Sequence, residues 1–153
     1  MRFEYIEPFV SSTIRVLDQV IQSDVSRGKI SLVSSDEIYG DVTIIIKVEG
    51  DSGGDIILNM DEETAVSISN IMTGEDAVEL TPLGKDAISE LANMLAGNAT
   101  SALTDLGYKL QIAPPSMVDR NGLIKQIGGL EIFQVPLFTE MGEITMNAVL
   151  RVN

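Results

Sequence analysis

The chain has 153 residues, a formal net charge of −13, and no Cys, His or Trp. At that length, with 44% apolar and 22% charged residues, it can bury a core of useful size, and one domain over residues 1–153 is expected. The missing residue types remove disulfides, thiolate and imidazole catalysis and nearly every zinc site. The acidity argues against nucleic acid and against anionic membrane surfaces as partners, because both demand clustered Lys and Arg.

Residues Met1 to Val10 are interrupted by Arg2, Glu4, Glu7 and Pro8, which is unlike a signal peptide, and apolar runs such as Ile44 to Ile46 are far too short to span a bilayer. A cytoplasmic protein is expected. From Ile6 to Ile21 the residues Ile6, Phe9, Val10, Ile14, Leu17, Val20 and Ile21 recur at helical spacing, predicting an amphipathic helix with Pro8 in its first turn. Ser23 to Lys29 reads as a polar turn containing Gly28. Ile30 to Val33 is a short strand candidate. Val42 to Val48 (VTIIIKV) is strongly β-branched and predicts a central strand, and Asp55 to Leu58 follows the turn signal GDSGG, predicting a hairpin. GDSGG lacks the Lys and the following helix of a phosphate-binding loop.

Asp61 is placed to cap a helix from Glu62 to Thr73, with Gly74 after it and Ala65, Ile68, Ser69 and Met72 inward. Glu75 to Glu79 is an acidic connector. After a long helix at Thr81 to Gly107, Tyr108 to Ile112 is extended and Pro114-Pro115 forbids helix. Ser116 to Val118 reads as a short strand and Asp119-Arg120-Asn121-Gly122 as a tight turn. Leu130 to Phe138 is strand-like, with Pro136 implying an edge or a bulge, and a turn falls near Glu140-Met141-Gly142. Glu143 to Val152 alternates, Ile144, Met146, Ala148, Leu150 and Val152 facing one way and Thr145, Asn147, Val149 and Arg151 the other. The order predicts an α+β domain with helices packed on a mainly antiparallel sheet.

The long helix carries the chemistry. Thr81 can cap it, Pro82 fits its first position and Gly107 its end. Ile88, Leu91, Ala92, Leu95, Ala99, Ala102 and Leu106 form an apolar stripe, opposite Asp86, Glu90, Asn93, Gly97, Thr100, Ser101 and Thr104. Asp86, Glu90 and Asn93 stand at i, i+4 and i+7, within about 60° of arc. Most such faces are simply solvated. This one is flattened by Gly84 and Gly97, although a mid-helix Gly costs about 0.5–1 kcal/mol relative to Ala. A small, flat, polar face suits docking. A carboxylate there can pair with a partner's Lys or Arg. An amide can donate and accept hydrogen bonds at once, and so can hold a water for in-line attack on a phosphoryl group. A metal-dependent hydrolase built on Asp86 and Glu90 is a poor fit, since no further ligands are placed.

Asp86-x-x-x-Glu90-x-x-Asn93 followed at a distance by Pro115, within AISELANMLAGNATSAL…IAPPSMV, resembles the signature of the CheC/CheX/FliY chemotaxis phosphatases, with CheX the nearest branch. The resemblance implies a CheC-like pseudo-symmetric duplication and a helix that lies against a phosphorylated CheY-like response regulator. Glu90 would pair with the regulator's active-site lysine and Asn93 would hold the attacking water. The regulator would supply Mg²⁺, so no metal or cofactor of its own is implied. A partner-binding role for Asp86 comes with the signature, whereas one for Gly97 is inferred from the space it leaves. A second, degenerate copy of the spacing at Glu63, Ser67 and Asn70 has Ser in place of Glu and reads as inactive. One intact site per chain points to a CheX-like homodimer, which edge-prone C-terminal strands would permit. A non-catalytic regulator-binding or flagellar-switch-type module is the alternative.

Overall fold

The computed structural model describes residues 6–38, 40–50 and 53–150, without the side chain of Leu150. Among the described residues four α-helices flank one eight-stranded sheet, and every strand pair is antiparallel. The chain runs α1 (Ile6–Ile21), β1 (Ser26–Arg27), β2 (Ser31–Val33), β3 (Val42–Gly50) and β4 (Gly54–Met60). Then come α2 (Glu62–Thr73), α3 (Pro82–Asp105), β5 (Leu110–Ile112), β6 (Ser116–Val118), α4 (Arg120–Ile127), β7 (Ile132–Thr139) and β8 (Gly142–Leu150). The sheet order is β1-β7-β8-β4-β3-β5, with β2 also on β7 and β6 also on β3. This is the expected α+β architecture.

Strand alternation sorts the apolar residues into two cores. Val42, Ile44, Ile46 and Val48 of β3, Ile56, Leu58 and Met60 of β4, and Ile144, Met146 and Ala148 of β8 face the layer formed by α1, α2 and α3. Ile45, Ile57, Ile132 and Val149 face the other way and meet Leu123 and Ile127 of α4. The hairpins are as expected, Ile45 opposite Ile57 in β3–β4 and Thr139 opposite Gly142 in β7–β8. Asp51 and Ser52 of the first turn, together with Arg151 and Val152, lie outside the described residues.

Three local expectations are corrected. The polar turn at Ser23 to Lys29 contains β1, which pairs Ser26 with Phe138 and Arg27 with Leu137. Asp119-Arg120-Asn121-Gly122 opens α4 instead of closing a tight turn. Asp119 Oδ1 accepts from the Gly122 N–H at 2.7 Å, and Leu123 and Ile127, four apart, anchor the helix in the second core. Asn147 lies on the face away from the main core, as the alternation predicts, and that face is itself an interior. Asn147 is fully buried, accepting from Gln134 Nε2 at 2.8 Å and donating to the Ile57 carbonyl at 3.2 Å. Finally, the C-terminal hairpin is not at an edge: β8 lies between β7 and β4, and β7 carries β1 and β2 on its outer side. Pro136 sits where β1 gives way to β2, so its missing N–H interrupts no continuous ladder, while its carbonyl accepts from the Gly28 N–H at 2.8 Å.

Candidate functional site

Helix α3 is held as its sequence dictates. Thr81 is the N-cap, its hydroxyl accepting from the Gly84 N–H at 3.0 Å, and Pro82 occupies the first turn. Gly107 follows the last turn at φ +94°, with its N–H on the Thr104 carbonyl and that of Tyr108 on the Leu103 carbonyl. Ile88, Leu91, Ala92, Leu95, Ala96, Ala99 and Leu103 are buried against α1, α2 and the sheet. The apolar stripe differs from expectation at its end. Leu103 takes the inner position, whereas Leu106, the C-cap just past the helix, is 67% exposed.

The opposite face presents the expected triplet. Asp86, Glu90 and Asn93 are all exposed, and none forms a side-chain hydrogen bond or ion pair with another described residue. At 1.5 Å rise per residue the triplet covers about 10 Å of helix. Their polar groups are therefore free for a ligand, with no internal bond to break first.

The two glycines expected on this face part company. Gly84 is buried, lying four residues before Ile88 and seven before Leu91, on the core stripe. A Cβ there would stand 3.0 Å from Ser69 Oγ and 3.1 Å from Leu80 Cδ1, so Gly84 lets α3 approach α2 and does not flatten the surface. Gly97 is exposed, and a Cβ added to it would meet nothing within 4 Å. The fold has no steric need for this glycine.

Beyond Asn93 the surface stays low. Asn98 Nδ2 turns back to the Met94 carbonyl at 2.9 Å and Thr100 Oγ1 to the Ala96 carbonyl at 2.8 Å, so both polar side chains lie along their own helix. Next to them an open hollow runs between α3 and the loop before β6, lined by Asn93, Ala96, Gly97 and Thr100 on one side and Ile112, Ala113 and Pro114 on the other. The sequence pattern pointed to Pro115, but its neighbour Pro114 forms the wall, and the hollow could not be read from helical spacing alone. A second feature was also missed. Leu83, three residues before Asp86 and seven before Glu90, continues the same stripe and is 53% exposed.

The α2 copy of the spacing is different. Glu63 is exposed, Ser67 is half-buried, and the Asn70 amide is engaged at both ends: Nδ2 donates to the Ala77 carbonyl at 3.0 Å and Oδ1 accepts from the Ala77 N–H at 3.1 Å. Among the described residues no group of three or more Asp or Glu converges as a metal site, and no helix is long and apolar enough to cross a membrane.

The family model described as chemotaxis phosphatase CheX matches residues 42–138, which include the whole of α3. A protein from Thermotoga maritima named CheY-P phosphatase CheX is 31% identical over 137 residues, 88% of each chain. The solved chemotaxis protein CheX of Desulfovibrio desulfuricans superposes with a TM-score of 0.81 at 25% identity, over 97% of this chain and 100% of that one. The Borrelia burgdorferi CheX–CheY–BeF3–Mg complex does so with a TM-score of 0.77 at 26% identity, over 97% and 98%. With its fold, its exposed Asp-Glu-Asn stripe and these similarities in agreement, the chain belongs to the CheX family of chemotaxis phosphatases.

Proposed function

We propose that the chain hydrolyses the aspartyl phosphate of a CheY-like response regulator, with the outer face of α3 as the working surface. The observation that carries this reading is the exposure of Glu90 and Asn93 on one helix face, each without a partner among the described residues, beside a hollow that leaves room for another molecule. The Thermotoga maritima relative named as a CheY-P phosphatase and the CheX–CheY complex of the Borrelia burgdorferi protein support the choice of substrate.

Glu90 pairs with the regulator's active-site lysine, a charge-assisted contact that sets the register of docking. Asn93 then enters the regulator's site and holds a water in line with the acyl phosphate. Water attacks phosphorus, the bond from phosphorus to the aspartyl oxygen breaks, and inorganic phosphate and a carboxylate leave. The regulator brings the Mg²⁺ and the electrophile, so this chain contributes position. Asp86 joins the docking face one turn before Glu90, and the absence of a side chain at Gly97 allows close approach. A cytoplasmic homodimer with one site per subunit belongs to the same proposal, and sedimentation tests that assembly.

The decisive experiment follows the decay of a phosphorylated CheY-like regulator with the wild-type chain and with Asn93→Ala. Acceleration that disappears in the variant, at unchanged thermal stability, is expected. An equal rate with Asn93→Ala overturns the water-holding role. Binding with no change in phosphate lifetime even for the wild-type chain would make it a capture module.

A further inference from the structure

The face of α3 does not begin at Asp86. Leu83 lies at nearly the same helical phase as Glu90, seven residues and about 10 Å away, and is 53% exposed. Five residues before it, Val78 is 97% exposed in the connector between α2 and α3, with the exposed Asp76 and Glu79 on either side. Scattered exposed apolar residues are ordinary. Val78 differs in how it is held, and Leu83 in its place on the stripe of Asp86 and Glu90.

The connector is clipped along its length. The Glu75 N–H donates to Thr73 Oγ1 at 3.1 Å, Ala77 is gripped at both its N–H and its carbonyl by Asn70, and the Leu80 N–H donates to Glu62 Oε1 at 3.3 Å. The Thr81 hydroxyl donates to Glu75 Oε1 at 2.7 Å while it caps α3. Val78 is therefore presented by a preorganised loop. Its exposure is a fixed property of the fold, and little ordering entropy opposes its use in binding.

Resting on the reading that α3 docks a CheY-like regulator, we propose that Val78 and Leu83 form an apolar anchor for that regulator at the N-terminal end of the face, with Asn70 as the positioning residue that fixes it. An apolar contact inside a charged rim is the usual build of a binding hot spot. The charge around it selects the occupant. A second copy of this chain would set Asp76, Glu79, Asp86 and Glu90 against their own like charges, whereas a regulator docked as proposed above brings a lysine to Glu90. The anchor gives affinity without touching the reacting atoms, so it acts on KM and leaves kcat to Asn93.

The test is steady-state dephosphorylation of a phosphorylated CheY-like regulator by the full chain. Val78→Ser with Leu83→Ser is expected to raise KM about tenfold, with kcat and the melting temperature unchanged, and Leu83→Met alone to keep the wild-type KM. Asn70→Ala is expected to raise KM severalfold at constant kcat. A wild-type KM in the double Ser variant overturns the anchor, as does a fall confined to kcat. So does a change in sedimentation without a change in KM, which would mark the patch as a contact between copies. Asn93→Ala in the same assay separates the two ideas. If it loses kcat while the Ser variants behave as wild type, the anchor alone fails. If it retains full kcat, the water-holding role alone falls and the Ser variants still judge the anchor by KM; a wild-type chain that leaves the phosphate lifetime unchanged brings down the functional reading and the anchor with it.

Discussion

On α2 the residues Glu63, Ser67 and Asn70 stand at the spacing that Asp86, Glu90 and Asn93 have on α3. The two asparagines differ in whether their amides are available to a ligand. The Asn93 amide is exposed and without a partner among the described residues, while the Asn70 amide is half-buried and closes a two-bond clip on Ala77. An amide of the second kind cannot also hold a water against a phosphoryl group. Spacing alone places polar groups on a helix face; whether they are available depends on what the neighbouring chain does. On α2 the connector folds back over the end of the triplet, and on α3 the corresponding ground is left open by Gly97 and the hollow beside it.

Several substitutions break or sharpen that contrast. The largest effect is expected from Asn93→Ala, on the order of 100-fold or more in dephosphorylation rate, with a melting temperature within error of the wild type because no internal bond is lost. The inner side of the same helix behaves in reverse: Leu91→Ala should cost about 2–5 kcal/mol in a denaturant titration, with kcat kept in the folded fraction. On α2, Asn70→Ala removes two bonds to backbone and should cost about 1–3 kcal/mol, a loss that Asn93→Ala does not share. Gly97→Ala should raise stability by about 0.5–1 kcal/mol, since its new methyl meets open space, while weakening regulator binding. Ser67→Glu completes the spacing on α2 and, placed in the Asn93→Ala background, should restore no activity. Any recovered turnover would mean that the Asn70 clip opens readily.

Much of this was legible in the sequence. The capped α3, its buried stripe and the exposed triplet follow from 3.6-residue periodicity with Thr81, Pro82 and Gly107 as punctuation. The strands β3, β4 and β8 follow from β-branched runs and period-2 alternation. The failures have physical causes. α4 was hidden because Asp-Arg-Asn-Gly has the composition of a turn, although Leu123 and Ile127 at helical spacing carried a signal. Gly84 was misassigned because a glycine has no side chain to declare a face; counting back from Ile88 and Leu91 would have placed it inward. Alternation put Asn147 on the second face of the sheet but does not show that α4 and the amide of Gln134 turn that face into an interior. The Asn70 clip and the hollow beside Asn93 each join segments distant in spacing or phase, which periodicity does not encode.

The two margins of the sheet have a consequence for solubility. The middle strands carry Ile44-Ile45-Ile46 and Ile56-Ile57-Leu58, the kind of β-branched apolar run that recruits other chains when its hydrogen-bonding groups are open. Neither run is at a margin. One side of the sheet ends in β1 and β2, of two and three residues, and the other in β5 and β6, of three residues each. Pro136 fills the break on the first side, and a Cβ at Gly28 would stand 2.6 Å from its ring, so the gap cannot be closed by a simple substitution there. Among the described residues each margin thus offers only short, offset stretches of backbone for an incoming strand, a built-in guard against edge-to-edge aggregation.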